Sequence, residues 1–170
     1  MNLKIISIAS LACSLILSSC LKDTPYMNVA DSPPIIEFGL SPANGVSGPF
    51  TYAGDTASGS NIDTAIALVI ASPQVLNYNV TVTVAIDTTQ ITAYDIANSA
   101  GYTMLPSNLF TLDSTTVTIQ AGYRVANLPI TLNLQNFPAT HNYALPLKIT
   151  NGDGLIISSN SSDFMWLFSR

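Results

Sequence analysis

Apolar and polar residues alternate with a period of two through three separate stretches of this chain, and that alternation constrains the fold more than any other feature. Residues 78–87 set Tyr78, Val80, Val82, Val84 and Ile86 on one face and Asn79, Thr81, Thr83 and Ala85 on the other. Leu128, Ile130, Leu132 and Leu134 repeat the pattern around Thr131 and Asn133; Tyr143, Leu145, Leu147 and Ile149 repeat it again, with Lys148 facing outward. Side chains of an extended chain point to opposite faces in turn, so this period specifies half-buried strands. Apolar runs at 35–38, 62–71, 110–112, 117–119 and 164–168 add further strands. Turn signals separate them at Asn44-Gly45, Ser58-Gly59, Asp113-Ser114, Ala121-Gly122 and Asn151-Gly152-Asp153-Gly154. Seven to nine short strands at this spacing predict an all-β, antiparallel β-sandwich. One short helix is expected over residues 88–97, capped by Asp87, ended by Gly101, and facing the sheet through Ile91, Tyr94 and Ile96.

Composition narrows function. Only 9% of residues are charged, and the basic ones are Lys4, Lys22, Arg124, Lys148 and Arg170. Five scattered cations cannot neutralise a run of phosphates, so nucleic acid is not an expected partner. A single His and a single Glu, Glu37, leave little material for acid–base or metal chemistry, so neither an enzyme nor a metal or cofactor is expected.

The first twenty residues read as a lipoprotein signal. Lys4 precedes an apolar run over residues 5–17, which at about 13 residues is too short to span a bilayer. Leu17-Ser18-Ser19-Cys20 then resembles a bacterial lipobox. The expected layout is a signal peptide at 1–19, an acylated Cys20 with a flexible tether at 20–34, and a sandwich domain at 35–170. Cys13 leaves with the signal and Cys20 carries lipid, so no disulfide is expected. Without Lys4, four basic residues against ten acidic ones give 4 − 10 = −6. That charge keeps the mature domain off anionic lipid except through its acyl anchor.

Four stretches in order carry a family resemblance: Gly101-Tyr102-Thr103-Met104-Leu105-Pro106, Phe110-Thr111-Leu112, Thr116-Val117-Thr118-Ile119-Gln120-Ala121-Gly122, and Tyr143-Ala144-Leu145-Pro146-Leu147-Lys148-Ile149-Thr150. Together they resemble the N-terminal immunoglobulin-like domain of unknown function of Bacteroidetes surface lipoproteins associated with polysaccharide-utilisation (Sus-type) systems. The resemblance spans about residues 35–168 and implies an Ig-like sandwich on the outer membrane, usually followed by a second module that binds or cleaves glycan. Here the chain stops at Arg170, so the module that usually handles glycan is expected to be missing. Pro106 and Pro146 lack a backbone donor and are expected at strand edges or starts. Gly122 suits a positive φ between the strands at 117 and 128.

Candidate site residues follow from exposure and chemistry. Glycans are held by exposed aromatic rings with polar neighbours, which favours Tyr123 beside Arg124 in a turn, and Tyr52 near the glycine-rich 45–59 segment. Trp166 belongs to a terminal strand and is expected in packing. His141, between two strands without a neighbouring carboxylate, is expected to be a solvated loop residue. Asp55 with Asp63, or Asp87 with Asp95, are the nearest to a carboxylate pair, but each has a turn or cap role available. Asn151 and Asp153 supply too few oxygens for calcium and read as a hairpin connection. The expected function is a surface-exposed, non-catalytic module for glycan capture, or an adaptor or spacer beside other glycan-uptake proteins. The alternative is an adhesin or fimbria-associated component that exchanges strands along a sheet edge.

Overall fold

The computed structural model describes residues 29–39, 46–51, 61–133, 137–138 and 140–169. Residues Ser32–Arg170 form one compact unit. Its strands are β1 (Ile35–Phe38), β2 (Val46–Thr51), β3 (Ile62–Ala71), β4 (Val80–Ile86), β5 (Thr103–Met104), β6 (Phe110–Leu112), β7 (Thr116–Ile119), β8 (Val125–Leu132), β9 (Asn142–Asn151), β10 (Ile156–Ile157) and β11 (Asp163–Ser169), with a helix α1 (Thr89–Asn98). One sheet runs β10-β1-β3-β8-β6; the other runs β2-β11-β9-β4-β7, with β5 also pairing with β9. The all-β sandwich is as expected, with β2, β5 and β10 beyond the expected strands. Those three make the parallel pairs, β10 with β1, β2 with β11 and β5 with β9, whereas the pairs among the expected strands are antiparallel.

The core lies between the sheets. Ile66, Leu68 and Ile70 of β3 and Leu128, Ile130 and Leu132 of β8 meet Val80, Val82 and Val84 of β4 and Leu145, Leu147 and Ile149 of β9. Each such side chain contributes about 1.5–3 kcal/mol by leaving water. Trp166 packs in this core, its ring 5.3 Å from Phe168 and 6.5 Å from Phe164. The outer face of β9 and β11 is covered too: Ile91 of α1 packs with Ala144, Met165 and Leu167, backed by Tyr94 and Tyr102. Two-sided burial explains why residues 164–168 read as a continuous apolar run rather than an alternating one.

Several local expectations need correction. The alternation in β4 holds for Val80, Val82 and Val84, but Tyr78 precedes the strand and Ile86 closes it, and both are exposed. Ile96 is 79% exposed, because only Ile91 of α1 is buried; Tyr94 is partly buried at its flank. The helix ends at Ser99, in left-handed conformation (φ 51°), not at Gly101. The N-cap is Thr88 rather than Asp87, and Asp87, one residue earlier, supports the helix start by accepting from Thr89 N at 3.2 Å and Thr89 Oγ1 at 2.6 Å. Pro146 lies inside β9 rather than at an edge. The carbonyls of Ala144 and Pro146 accept from Leu105 N and Asp87 N. The nitrogen of Pro146 faces the same side, so its missing donor falls in the gap between the end of β5 and the end of β4. The Asn151–Gly154 turn is not a hairpin, since it carries the chain from β9 in one sheet to β10 in the other.

Candidate functional site

Two loops meet at one end of the sandwich. Residues 72–79 connect β3 to β4, and residues 120–124 connect β7 to β8. Tyr123 N bonds Gln120 O at 3.0 Å and Gly122 has φ 82°, the positive φ that a type II turn requires at its third position. The turn is tied to the other loop by Gly122 N to Leu76 O at 2.7 Å and by Ala121 N to Asn79 Oδ1 at 2.9 Å. Leu76 packs against the core and anchors both. The Arg124 guanidinium donates to Ser72 O, to Ser72 Oγ and to Pro73 O. Arg124 thus clamps the two loops together through three hydrogen bonds from its two terminal nitrogens.

This clamped end presents aromatic surface. Tyr123 is 67% exposed and Tyr78 49% exposed, with Val75 and Val125 also half-exposed. Asn79 accepts through its Oδ1, and both Asn79 and Gln120 are exposed. Rings and amides held on a fixed backbone can stack on and hydrogen-bond a neutral ligand without first being ordered. Tyr78 was missed in the sequence because the alternation assigned it to the buried face; the Asn77-Tyr78-Asn79 context, polar on both sides, was the available signal.

At the other end of the six-stranded sheet lies a depression of about 410 Å3, lined by Gly101, Thr103, Thr140, His141, Asn142 and Tyr143. His141 is only 8% exposed, which overturns the expectation of a solvated loop residue. Its ring stacks on Tyr143 (5.5 Å, 10°) and meets the edge of Phe137 (5.2 Å, 72°). Its Nδ1 lies 3.0 Å from Pro138 O; a carbonyl only accepts, so Nδ1 carries the proton. Nε2 is buried with no hydrogen-bond partner among the described residues. A buried polar atom left this way costs about 1–3 kcal/mol.

The carboxylates singled out in the sequence hold structure. Asp87 is kept below its ordinary value of 3.8 chiefly by the Thr89 hydroxyl, and Lys148 Nζ approaches its Oδ2 at 3.4 Å. Lys148 also lies 3.8 Å from Asp163 Oδ1. Asp95 Oδ1 accepts from Tyr102 N at 3.1 Å, and Asp63 Oδ1 accepts from Thr131 Oγ1 at 2.8 Å. Burial pushes the Tyr102 phenol up from 10.0. Asp153 Oδ2 accepts from Thr81 N at 3.0 Å, and Asn151 Oδ1 from Asp153 N at 2.8 Å, so both side chains stabilise their turn. Among the described residues no group of three or more His, Cys, Asp or Glu comes together to hold a metal ion. Cys20, Tyr52 and Asp55 lie outside the described residues.

A family model that describes an N-terminal domain matches residues 31–156. No curated protein matches the chain. Among solved structures, it is similar to a provisionally assigned carbohydrate-binding protein from Bacteroides ovatus (TM-score 0.60, 17% identity, 79% of this chain and 36% of that one). It is also similar to Bacteroides thetaiotaomicron EndoBT-3987, solved with Man5GlcNAc product (TM-score 0.56, 17% identity, 79% and 30%). An auxiliary nutrient binding protein from Bacteroides thetaiotaomicron is similar as well (TM-score 0.55, 17% identity, 73% and 43%). At this identity the likeness establishes a shared fold. The chain spans less than half the length of each of these proteins.

Proposed function

Because the chain belongs to the family of N-terminal, immunoglobulin-like domains carried by Bacteroidetes proteins, we propose that it is a non-catalytic surface module that captures glycan for a polysaccharide-uptake system, anchored in the outer membrane through lipid on Cys20. The observation that carries the reading is the clamped aromatic end: Tyr123 and Tyr78 exposed on two loops that Arg124, Gly122 and Ala121 lock together. An exposed ring on a rigid turn is a costly arrangement for a domain that uses its aromatics only for packing, and a useful one for stacking on a sugar face. The carbohydrate- and nutrient-binding names of two similar structures support the same ligand class. Arg124 acts in this reading as a positioning residue, holding Tyr123 rather than touching sugar.

The test is a glycan array probed with the domain beginning after Cys20. Retention of at least one neutral polysaccharide, with Kd in the micromolar to millimolar range, is the expected result, and silence across the array overturns capture. Anchoring is tested separately. Cys20→Ala should move the full-length protein from the membrane fraction to the soluble one, and unchanged fractionation would refute the lipid anchor.

A further inference from the structure

We propose that the depression at His141 is a second binding site, one that takes a single neutral sugar ring or polyol, separate from the aromatic end; the choice of ligand class rests on the saccharide reading above. The six lining residues carry no formal charge when His141 is neutral, so the site supplies no ion pair to a phosphate, a carboxylate or an ammonium group. What it offers is hydroxyl and amide chemistry from Thr103, Thr140 and Asn142, beside the stacked rings of His141 and Tyr143. A volume of about 410 Å3 lies at the small end of the range in which ligand pockets fall, about 300–1,000 Å3.

The second observation is the histidine itself. Nδ1 is committed as a donor to Pro138 O, which fixes Nε2 of the neutral ring as a bare acceptor, buried and unpartnered among the described residues. His141 is one of the six residues that line the depression and is 8% exposed. In the bound state a sugar hydroxyl, a donor, satisfies Nε2, which the ring must tilt to expose. Thr103 Oγ1, whose proton is directed at Asn142 O at 3.4 Å, keeps its lone pairs for a second hydroxyl of the same ligand.

The two sites are independent by position. β4 begins beside the aromatic end at Val80 and finishes at Ile86, opposite Leu147, and Asn142 lies five residues further down β9. At about 3.3 Å per residue the sites are roughly 35 Å apart.

His141 is the single histidine of the chain, so its imidazole resonances are an unambiguous probe. The experiment titrates D-glucose, D-galactose, D-mannose and myo-inositol into isotope-labelled protein beginning after Cys20, following the His141 ring nitrogens and carbons by NMR. The expected result is a saturable shift with at least one probe, in the millimolar range, centred on Nε2. Thr103→Val, at an exposed position of a two-residue strand, should raise that Kd about tenfold, equivalent to one lost hydrogen bond, while Tyr123→Ala leaves it within about twofold. No saturable shift up to about 100 mM, a concentration that detects affinities of about 1.4 kcal/mol, overturns the proposal. So does an equal shift in Thr103→Val, and Asn142→Ala serves as the second variant should Thr103→Val fail to fold. Polysaccharide retention that depends on Tyr123 without any shift at His141 would sink the second site and leave the capture reading standing.

Discussion

Replacing Arg124 by Ala should release the clamp between the two loops of the aromatic end. In the folded chain the guanidinium donates to the carbonyls of Ser72 and Pro73 and to the Ser72 hydroxyl. Hydrogen bonds to a charged group contribute about 1.5–3 kcal/mol each in the best case; Arg124 is half-buried and water replaces part of the loss, so the whole clamp amounts to about 2 kcal/mol. For a unit of about 140 residues the unfolding entropy is about 0.3 kcal/mol/K, so the thermal midpoint should fall by about 7 °C. Lys in the same place delivers a point charge to one carbonyl rather than a fork to two, and Arg124→Lys should recover less than half of the loss. Calorimetric scans of wild type, Arg124→Ala and Arg124→Lys measure both effects. A midpoint within about 1 °C of wild type in Arg124→Ala, given the slope above, would refute the clamp and return Arg124 to the role of a direct ligand contact.

Gly122→Ala should cost about 1 kcal/mol from backbone strain alone, since φ is 82° and nothing lies within 4 Å of the added Cβ. Gly152→Ala should cost more, about 1–3 kcal/mol, because its Cβ would sit 2.6 Å from Ile36 Cγ2; urea titrations of the two variants give the comparison. Asp87 has a folded-state pKa lowered below 3.8, so the stability it adds is fully present above the ordinary carboxylate value and is lost as pH falls through the folded one. The gap in urea midpoint between wild type and Asp87→Asn should therefore be constant at neutral pH and close below about pH 3.8, whereas a gap unchanged in acid would contradict the assignment. On α1, Ile91→Ala should destabilise by about 2–3 kcal/mol and Ile96→Ala by less than about 0.5 kcal/mol, read from the same unfolding curves.

The parts of the fold legible in the sequence are those whose information is local. Alternation located the buried faces of β4, β8 and β9, and turn residues bounded them. The strands β2, β5 and β10 carry no such signal: two are two residues long, β2 contains Gly48-Pro49, and all three pair in parallel with partners distant in sequence. None of the antiparallel pairs joins consecutive strands either, so pairing was legible for no strand, and only a strand's own alternation and flanking turn residues could mark it. The same distinction governs the candidate sites. Tyr123 stands out because a turn with glycine exposes the next residue. His141 was misread because its burial is made by Tyr143 and Phe137, in the latter case through an edge contact that sequence spacing does not encode. The Arg124 clamp is not legible in the sequence, because its partners Ser72 and Pro73 lie about fifty residues away.

The most direct test of the account is isothermal titration of the polysaccharide retained by the wild-type domain against Tyr123→Ala and Tyr78→Ala. Stacking of one ring on a sugar face is worth about 1.4 kcal/mol, so each variant should bind about tenfold more weakly, with the thermal midpoint unchanged because both side chains are exposed. Wild-type affinity in both variants would contradict the claim that this end of the sandwich captures glycan.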